Sequence, residues 1–226
     1  MTDDRLVTVV MPAYNAEAFI RPALDSLLAQ DWPELEVIVV DDGSTDATAE
    51  IVESYEGVQC IRQENAGPAA ARNAGARAAG GSFVANFDSD DLLPPTRLTA
   101  QASYLIEHPD VGCVFGRQEW IDPPPWLTRD PVYGELDGIP LTSAMFRRHV
   151  LLDLGGYDET FVHGEDTDLL IRMREAGITY HVIPEVVVYR RFHESSLTGG
   201  RAQHTPLLRS LRAKLERDRA REGEAR

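Results

Sequence analysis

The chain has 226 residues, 43% of them hydrophobic, and a formal net charge of -15. That suffices for one globular domain with its own core, and the charge argues against a nucleic-acid backbone as a partner. No apolar run approaches the length of a membrane span. Cys60 and Cys113 lie far apart and lack metal-ligand spacing, so they read as reduced thiols. The start Met1-Thr2-Asp3-Asp4 does not look like a secretory leader, and the expected location is the cytoplasm.

Leu6 to Met11 is an apolar run ended by Pro12, the pattern of a buried parallel strand, with Ala13-Tyr14-Asn15 as the turn. Apolar residues from Phe19 to Leu28 recur at helical spacing within Glu17 to Ala29. A second strand, Glu36 to Val40, runs into Asp41-Asp42-Gly43-Ser44. A helix is expected over Thr45 to Tyr55, with Asp46 in its first turn. Val58 to Gln63 is a third strand. Asn65-Ala66-Gly67-Pro68 then opens an Ala-rich helix that Gly80-Gly81 stops, and Phe83 to Phe87 is a fourth strand.

Four strand-helix units in succession predict an α/β domain with a parallel sheet and right-handed crossovers. Ligands bind at the carboxyl ends of such strands. The loops 12–15, 41–44, 64–67 and 88–91 all fall at those ends, so they converge on one cleft.

The second half is less regular. Helices are expected over Thr96 to His108, His149 to Leu154 and Glu165 to Ala176, and strands over Val111 to Gly116 and Pro140 to Phe146. Residues 117–140, with Trp120, Trp126 and Pro123-Pro124-Pro125, read as a loop. Val182 to Tyr189 is interrupted by Pro184, and Thr205 to about Glu222 reads as a charged terminal helix. The expected organisation is a single domain over 1–204 and a helical tail over 205–226.

Within the cleft, Asn86-Phe87-Asp88-Ser89-Asp90-Asp91 gathers three carboxylates in four positions. Like charges this close repel and need compensation, for which a divalent cation with oxygen ligands is the simplest source. An acidic turn capping the next helix is the plainer alternative.

Six motifs, in order, resemble glycosyltransferase family 2 and its GT-A fold. They are Val10-Met11-Pro12-Ala13-Tyr14-Asn15, Val39-Val40-Asp41-Asp42-Gly43-Ser44-Thr45-Asp46, Asn65-Ala66-Gly67-Pro68 with Ala71-Arg72-Asn73, Asp88-Ser89-Asp90-Asp91, Gly155-Gly156-Tyr157-Asp158, and Gly164-Glu165-Asp166. Each is weak alone, and their order carries the resemblance, which covers residues 5 to 200. It implies a Rossmann-like, three-layer GT-A sandwich with a mainly parallel sheet. It also implies an inverting transfer of sugar from a nucleoside-diphosphate donor, a UDP-sugar first, to an acceptor hydroxyl.

The same resemblance assigns roles. Asp88 and Asp90 match the Asp-X-Asp motif, with Asp90 as direct ligand to Mn2+ or Mg2+ and Asp88 on the ribose or reaching the metal through water. Ser89 lies between them. Asp166 matches the base that takes the acceptor proton, and a helix start is a favourable place for its charge; the alternative is a helix cap. Tyr14 stacks on the base, flanked by Pro12 and Ala13, and Asp42 accepts from the base's ring N–H, which suits uracil or thymine; guanine presents the same donor but needs more room.

Asn65, Gly67 and Arg72 belong beside the base and phosphates, although Arg72 equally reads as a structural ion pair. His193 is either a further metal ligand, as in some relatives, or an exposed loop histidine. Arg190 and Arg191 are candidates for the diphosphate. Trp120, Trp126, His163 and Glu165 are the acceptor-side candidates. The processive members' Gln-X-X-Arg-Trp motif is missing, so a single addition is expected. Two rivals stand beside this reading. One is an inactive nucleotide-sugar-binding module. The other is a nucleotidyltransferase, which the lack of a basic loop before Arg21 counts against. The terminal helix suits intramolecular packing or dimerisation better than a peripheral membrane contact.

Overall fold

The computed structural model describes residues 5–121, 141–161, 164–191, 193 and 214. The first half alternates as the apolar runs predict: β1 (Val7–Ala13), α1 (Ile20–Leu28), β2 (Leu35–Asp41), α2 (Thr48–Glu53), β3 (Val58–Arg62), α3 (Pro68–Ala78) and β4 (Phe83–Asn86). Then come α4 (Arg97–Glu107), β5 (Val111–Ile121), a 3-10 turn (Leu141–Ser143), β6 (Met145–Arg147), α5 (Arg148–Asp153), α6 (Glu165–Glu175) and β7 (Thr179–Arg191).

The seven strands form one sheet in the order β3-β2-β1-β4-β6-β5-β7. β1 pairs parallel with β2 and β4, β2 pairs parallel with β3, and β5 with β7. β6 is antiparallel to both β4 and β5. Among the described strands only β6 therefore runs backwards, and the carboxyl ends of the other six share one rim.

Strand alternation splits the core between the two faces. Val7, Val9 and Met11 of β1 join Leu24 and Leu27 of α1 and Leu98 and Leu105 of α4. Val10, one residue out of phase, joins Ala69 and Ala76 of α3 and Leu169, Leu170 and Met173 of α6. This is the three-layer sandwich, and it explains why β1 reads as an apolar run broken only by the buried Thr8. Each fully buried Val or Leu contributes roughly 1.5–3 kcal/mol. The layer carrying α3 is unusually close: a Cβ on Gly75 would lie 2.3 Å from Val10 Cγ1.

Four expectations need correction. The helix expected from Thr45 begins at Thr48: Asp46 Oδ1 accepts from Thr48 N at 3.0 Å, a local Asx turn just before the helix. Pro140 to Phe146 is not one strand: the 3-10 turn precedes a three-residue β6. Residues 117–121 extend β5 and are not loop. β7 runs on through Pro184, because Phe115 pairs with Val182 and Arg117 with Val186, so the proline sits in an irregularity where no ladder donor is needed. Of the terminal helix only Lys214 is described, and its Nζ bonds Glu175 Oε1 at 2.8 Å. The proposed domain limits fall among residues outside those described.

Candidate active site

β4 is buried along its length and delivers Phe87, also fully buried, to a bond from Phe87 N to Val10 O at 3.0 Å. The chain then leaves the core, and Asp88, Asp90 and Asp91 bring one carboxylate oxygen each within 4.8 Å of one another. Each has a nitrogen-bearing neighbour from elsewhere. Arg72 Nη2 donates to Asp88 Oδ1 at 2.8 Å, His193 Nε2 lies 2.9 Å from Asp90 Oδ2, and Arg190 Nε lies 3.8 Å from Asp91 Oδ2. Arg191 N donates to Asp91 Oδ1 at 3.0 Å, and Leu92 and Tyr189 exchange backbone bonds of 3.0 and 2.9 Å. The end of β7 thus straps the acidic loop. Phe19 supports the strap, its ring stacked on His193 at 4.3 Å with Arg191 Cζ 5.5 Å from its centre.

Burial, then the charges of Asp88 and Asp90, push the Asp91 carboxyl up to about 8. Its Oδ2 is buried without a hydrogen-bond partner. Hard oxygen donors this close, one of them unsatisfied, fit a magnesium or manganese ion.

Beneath the loop lies a buried arginine that the six motifs do not include. Arg97 is 1% exposed; its Nη2 donates to Asn86 O at 2.7 Å and Thr142 O at 2.9 Å, and its Nε to Gln101 Oε1 at 3.0 Å. It ties the end of β4 to the segment entering β6. Burial lowers its guanidinium to about 9, against the pull of Asp88 and Asp91.

Across the rim, Tyr14 is 52% exposed at the end of β1, which rules out a core role. Asn15 adopts φ 48°, and its Oδ1 accepts from Thr45 N at 2.8 Å, joining the first two motif loops. Pro12 and Ser89 are half-buried, Ala13 is buried and Asn65 is exposed. Asp42 is 4% exposed and already accepts from Gln63 Nε2, Ala66 N and Gly67 N at 2.7, 2.9 and 2.8 Å. It shapes the 65–67 turn and keeps about one further lone-pair direction.

α6 begins at Glu165, after Gly164 at φ 92°. Asp166 is half-buried in the first turn, and its Oδ1 accepts from Thr167 N at 2.9 Å. Glu165 instead turns inward to Arg72 Nη1 at 3.0 Å. Burial raises the Glu165 carboxyl; Arg72 offsets part of this and Asp166 adds to it. Trp120, on β5, carries Arg190 over its ring at 5.0 Å, so at least one face is already covered by protein. Trp126 and His163 lie outside the described residues.

The sheet order, the three layers and a rim of motif loops can now be set against known proteins. Residues 8–164 match the sequence profile of Glycosyl transferase family 2. The chain belongs to this family. Among curated relatives, glycosyltransferase GlyA of Streptococcus pneumoniae serotype 4 is 38% identical over 112 residues, 48% of this chain and 16% of GlyA. Chondroitin synthase of Pasteurella multocida is 29% identical over 189 residues, 78% of this chain and 20% of the synthase. The family 2 chain therefore matches only a small part of either relative. Among solved structures, Staphylococcus aureus TarS 1-349 in complex with UDP-GlcNAc superposes with a TM-score of 0.75 at 25% identity, covering 92% of this chain and 65% of TarS 1-349. Mannosyltransferase PcManGT from Pyrobaculum calidifontis, in complex with GDP-Man and Mn2+, has a TM-score of 0.66 at 28% identity over 84% of this chain and 58% of PcManGT. The shared architecture is GT-A, as the motif order implied.

Proposed function

We propose that this family 2 chain is a metal-dependent, inverting glycosyltransferase that moves a single sugar from a nucleoside-diphosphate sugar, a UDP-sugar first, to an acceptor hydroxyl. The observation that carries the reading is the meeting of Asp88, Asp90 and Asp91 with the start of α6, which bears Asp166, through the shared partner Arg72.

Asp90, with Asp91 and His193 beside it, would hold Mn2+ or Mg2+, and Asp88 would face the ribose or reach the ion through water. A bound divalent metal neutralises the charge that grows on the departing phosphate oxygen. Tyr14 stacks on the base, with Pro12, Ala13, Asn65 and Gly67 around it and Asp42 offering its remaining acceptor position. Ser89 lines the ribose side. Asp166 takes the proton from the acceptor hydroxyl as that oxygen bonds the anomeric carbon. The bond from that carbon to the donor phosphate breaks, and its electron pair leaves with the nucleoside diphosphate. The free thiols Cys60 and Cys113 accord with a cytoplasmic reaction. The acceptor is a glycan, a lipid-linked sugar, a natural product or a peptide, approached from the Glu165 side.

The test is calorimetric titration with UDP, GDP and TDP, with and without Mn2+, on wild type and Asp90→Ala. Metal-dependent binding of one diphosphate, lost in Asp90→Ala, is the expected result. Asp166→Asn should keep that binding and lose transfer. Metal-independent binding, or an active Asp166→Asn, refutes the corresponding part of the reading.

A further inference from the structure

Donor chemistry and proton removal sit on segments far apart in the chain, the loop after β4 and the start of α6. What joins them is the middle of α3. Arg72 is 8% exposed and divides one guanidinium between the two sides, Nη2 to Asp88 Oδ1 at 2.8 Å and Nη1 to Glu165 Oε1 at 3.0 Å. A guanidinium is rigid and planar, so two carboxylates held by its two terminal nitrogens are fixed in distance and in plane.

Asn73 grips the segment leading to α6. Its Nδ2 donates to Tyr157 O and Glu159 Oε1, both at 2.8 Å, and its Oδ1 accepts from Tyr157 N at 2.8 Å. A Cβ on Gly156 would come within 2.3 Å of Asn73 Oδ1, so a side chain there could not keep this contact. Tyr157 closes the circuit, its hydroxyl accepting from Asn86 Nδ2 at 2.7 Å at the end of β4.

A buried cation with two anionic partners leaves the cluster with a net negative charge, which is a costly way to build a mere staple. It is also a poor arrangement for gripping phosphates: each terminal nitrogen already holds a protein carboxylate and Nε is buried, so the fork cannot turn both nitrogens to one phosphate. We infer that Arg72 is a positioning residue. It sets the spacing between the donor-side Asp88 and the base-bearing start of α6, and it does not itself bind the donor. The inference rests on the proposed transfer activity for its consequence and on geometry alone for the bridge.

Arg72→Lys keeps the charge and loses the fork. Its kcat for transfer should fall by about 10–100-fold, the cost of a misplaced base. Its affinity for UDP with Mn2+ should stay within about threefold of wild type, as uniform binding is untouched. Glu165→Gln should reproduce the kcat loss, and the double variant should be no slower than Arg72→Lys, because both changes cut one link. A parallel loss of UDP affinity would make Arg72 a donor contact, and multiplying kcat losses would make the two residues independent; either overturns the inference.

An arm free of activity uses thermal unfolding. Glu165→Gln should shift the midpoint in the wild-type background and leave it unmoved in Arg72→Gln; equal shifts overturn the bridge. A wild-type chain that binds no nucleoside diphosphate would refute the proposed function, while this last comparison would still decide on the bridge.

Discussion

Gly75→Ala adds one methyl group where α3 crosses β1. The new Cβ would lie 2.3 Å from Val10 Cγ1 and 3.0 Å from Cγ2. Ordinary contact needs more than an ångström of extra room, and Val10 is fully buried in a strand paired on both edges, so it cannot yield. Overpacking of this kind costs about 1–3 kcal/mol, and so severe a clash belongs at the top of that range. Replacing a helical glycine by alanine returns about 1 kcal/mol. The net loss is about 2 kcal/mol, or about 4–8 °C in a chain of this size. Urea and thermal unfolding read it directly. Val10→Ala removes the clashing methyls, so Gly75→Ala should cost less in that background. A single variant as stable as wild type would refute the close-packing argument. Because α3 carries Arg72 and Asn73, the same substitution should also lower transfer rate before it lowers UDP affinity.

Asp91 supplies a pH test. Its carboxyl sits at about 8, above the 3.8 of an ordinary aspartate, so its contribution to native stability is full at low pH and is lost as pH rises between about 4 and 8. Metal-free protein in EDTA should lose on the order of a few kcal/mol across that window. Asp91→Asn should flatten the loss, and a slope unchanged by that substitution would contradict the burial and repulsion assigned to the loop. Arg97→Met strands the Asn86 and Thr142 carbonyls and should destabilise by on the order of 3 kcal/mol in urea unfolding; an unchanged midpoint would show that those carbonyls find other donors. Tyr14→Ala should leave stability within about 0.5 kcal/mol, since the ring is half in water, yet weaken UDP binding by about 1–3 kcal/mol. Unaltered affinity in calorimetry would remove Tyr14 from the base site.

β1, β2 and β4 are legible because a sheet covered on both faces makes them mostly apolar, and their ends then locate the motif loops; β3, at the sheet edge, is only partly buried. Elements decided by few residues were not legible. β6 has three residues and is held by partners on both sides, so no run or period announces it. Pro184 looks like a break until the pairing shows the ladder skipping it. In the candidate site, Tyr14, Asp88, Asp90 and Asp166 are singled out by motif order. The Arg72–Glu165 bond, between residues 93 apart, has no local signal. Arg97 did have one: with Leu98, Gln101, Ala102 and Leu105 it occupies the buried face of α4, and a polar pair on an apolar stripe marks a satisfied interior network. That Trp120 backs Arg190 depends on the register of β5 against β7, which sequence alone does not contain.

The strap across the acidic loop has a consequence for synthesis. Arg72 and Arg97 are made close in time to Asp88, Asp90 and Asp91, but His193 follows Asp90 by 103 residues. At the usual pace of translation, about 5–20 residues per second, the growing chain carries the loop for roughly 5–20 s before Arg190 and His193 exist. The Rossmann-like half can collapse around β1 in that interval, while the three carboxylates await their later partners. Under the proposed metal site, the three carboxylates would be open to a divalent cation before the end of β7 exists to pack against them. Expression in metal-depleted medium would show whether that order of events matters to the yield of folded protein.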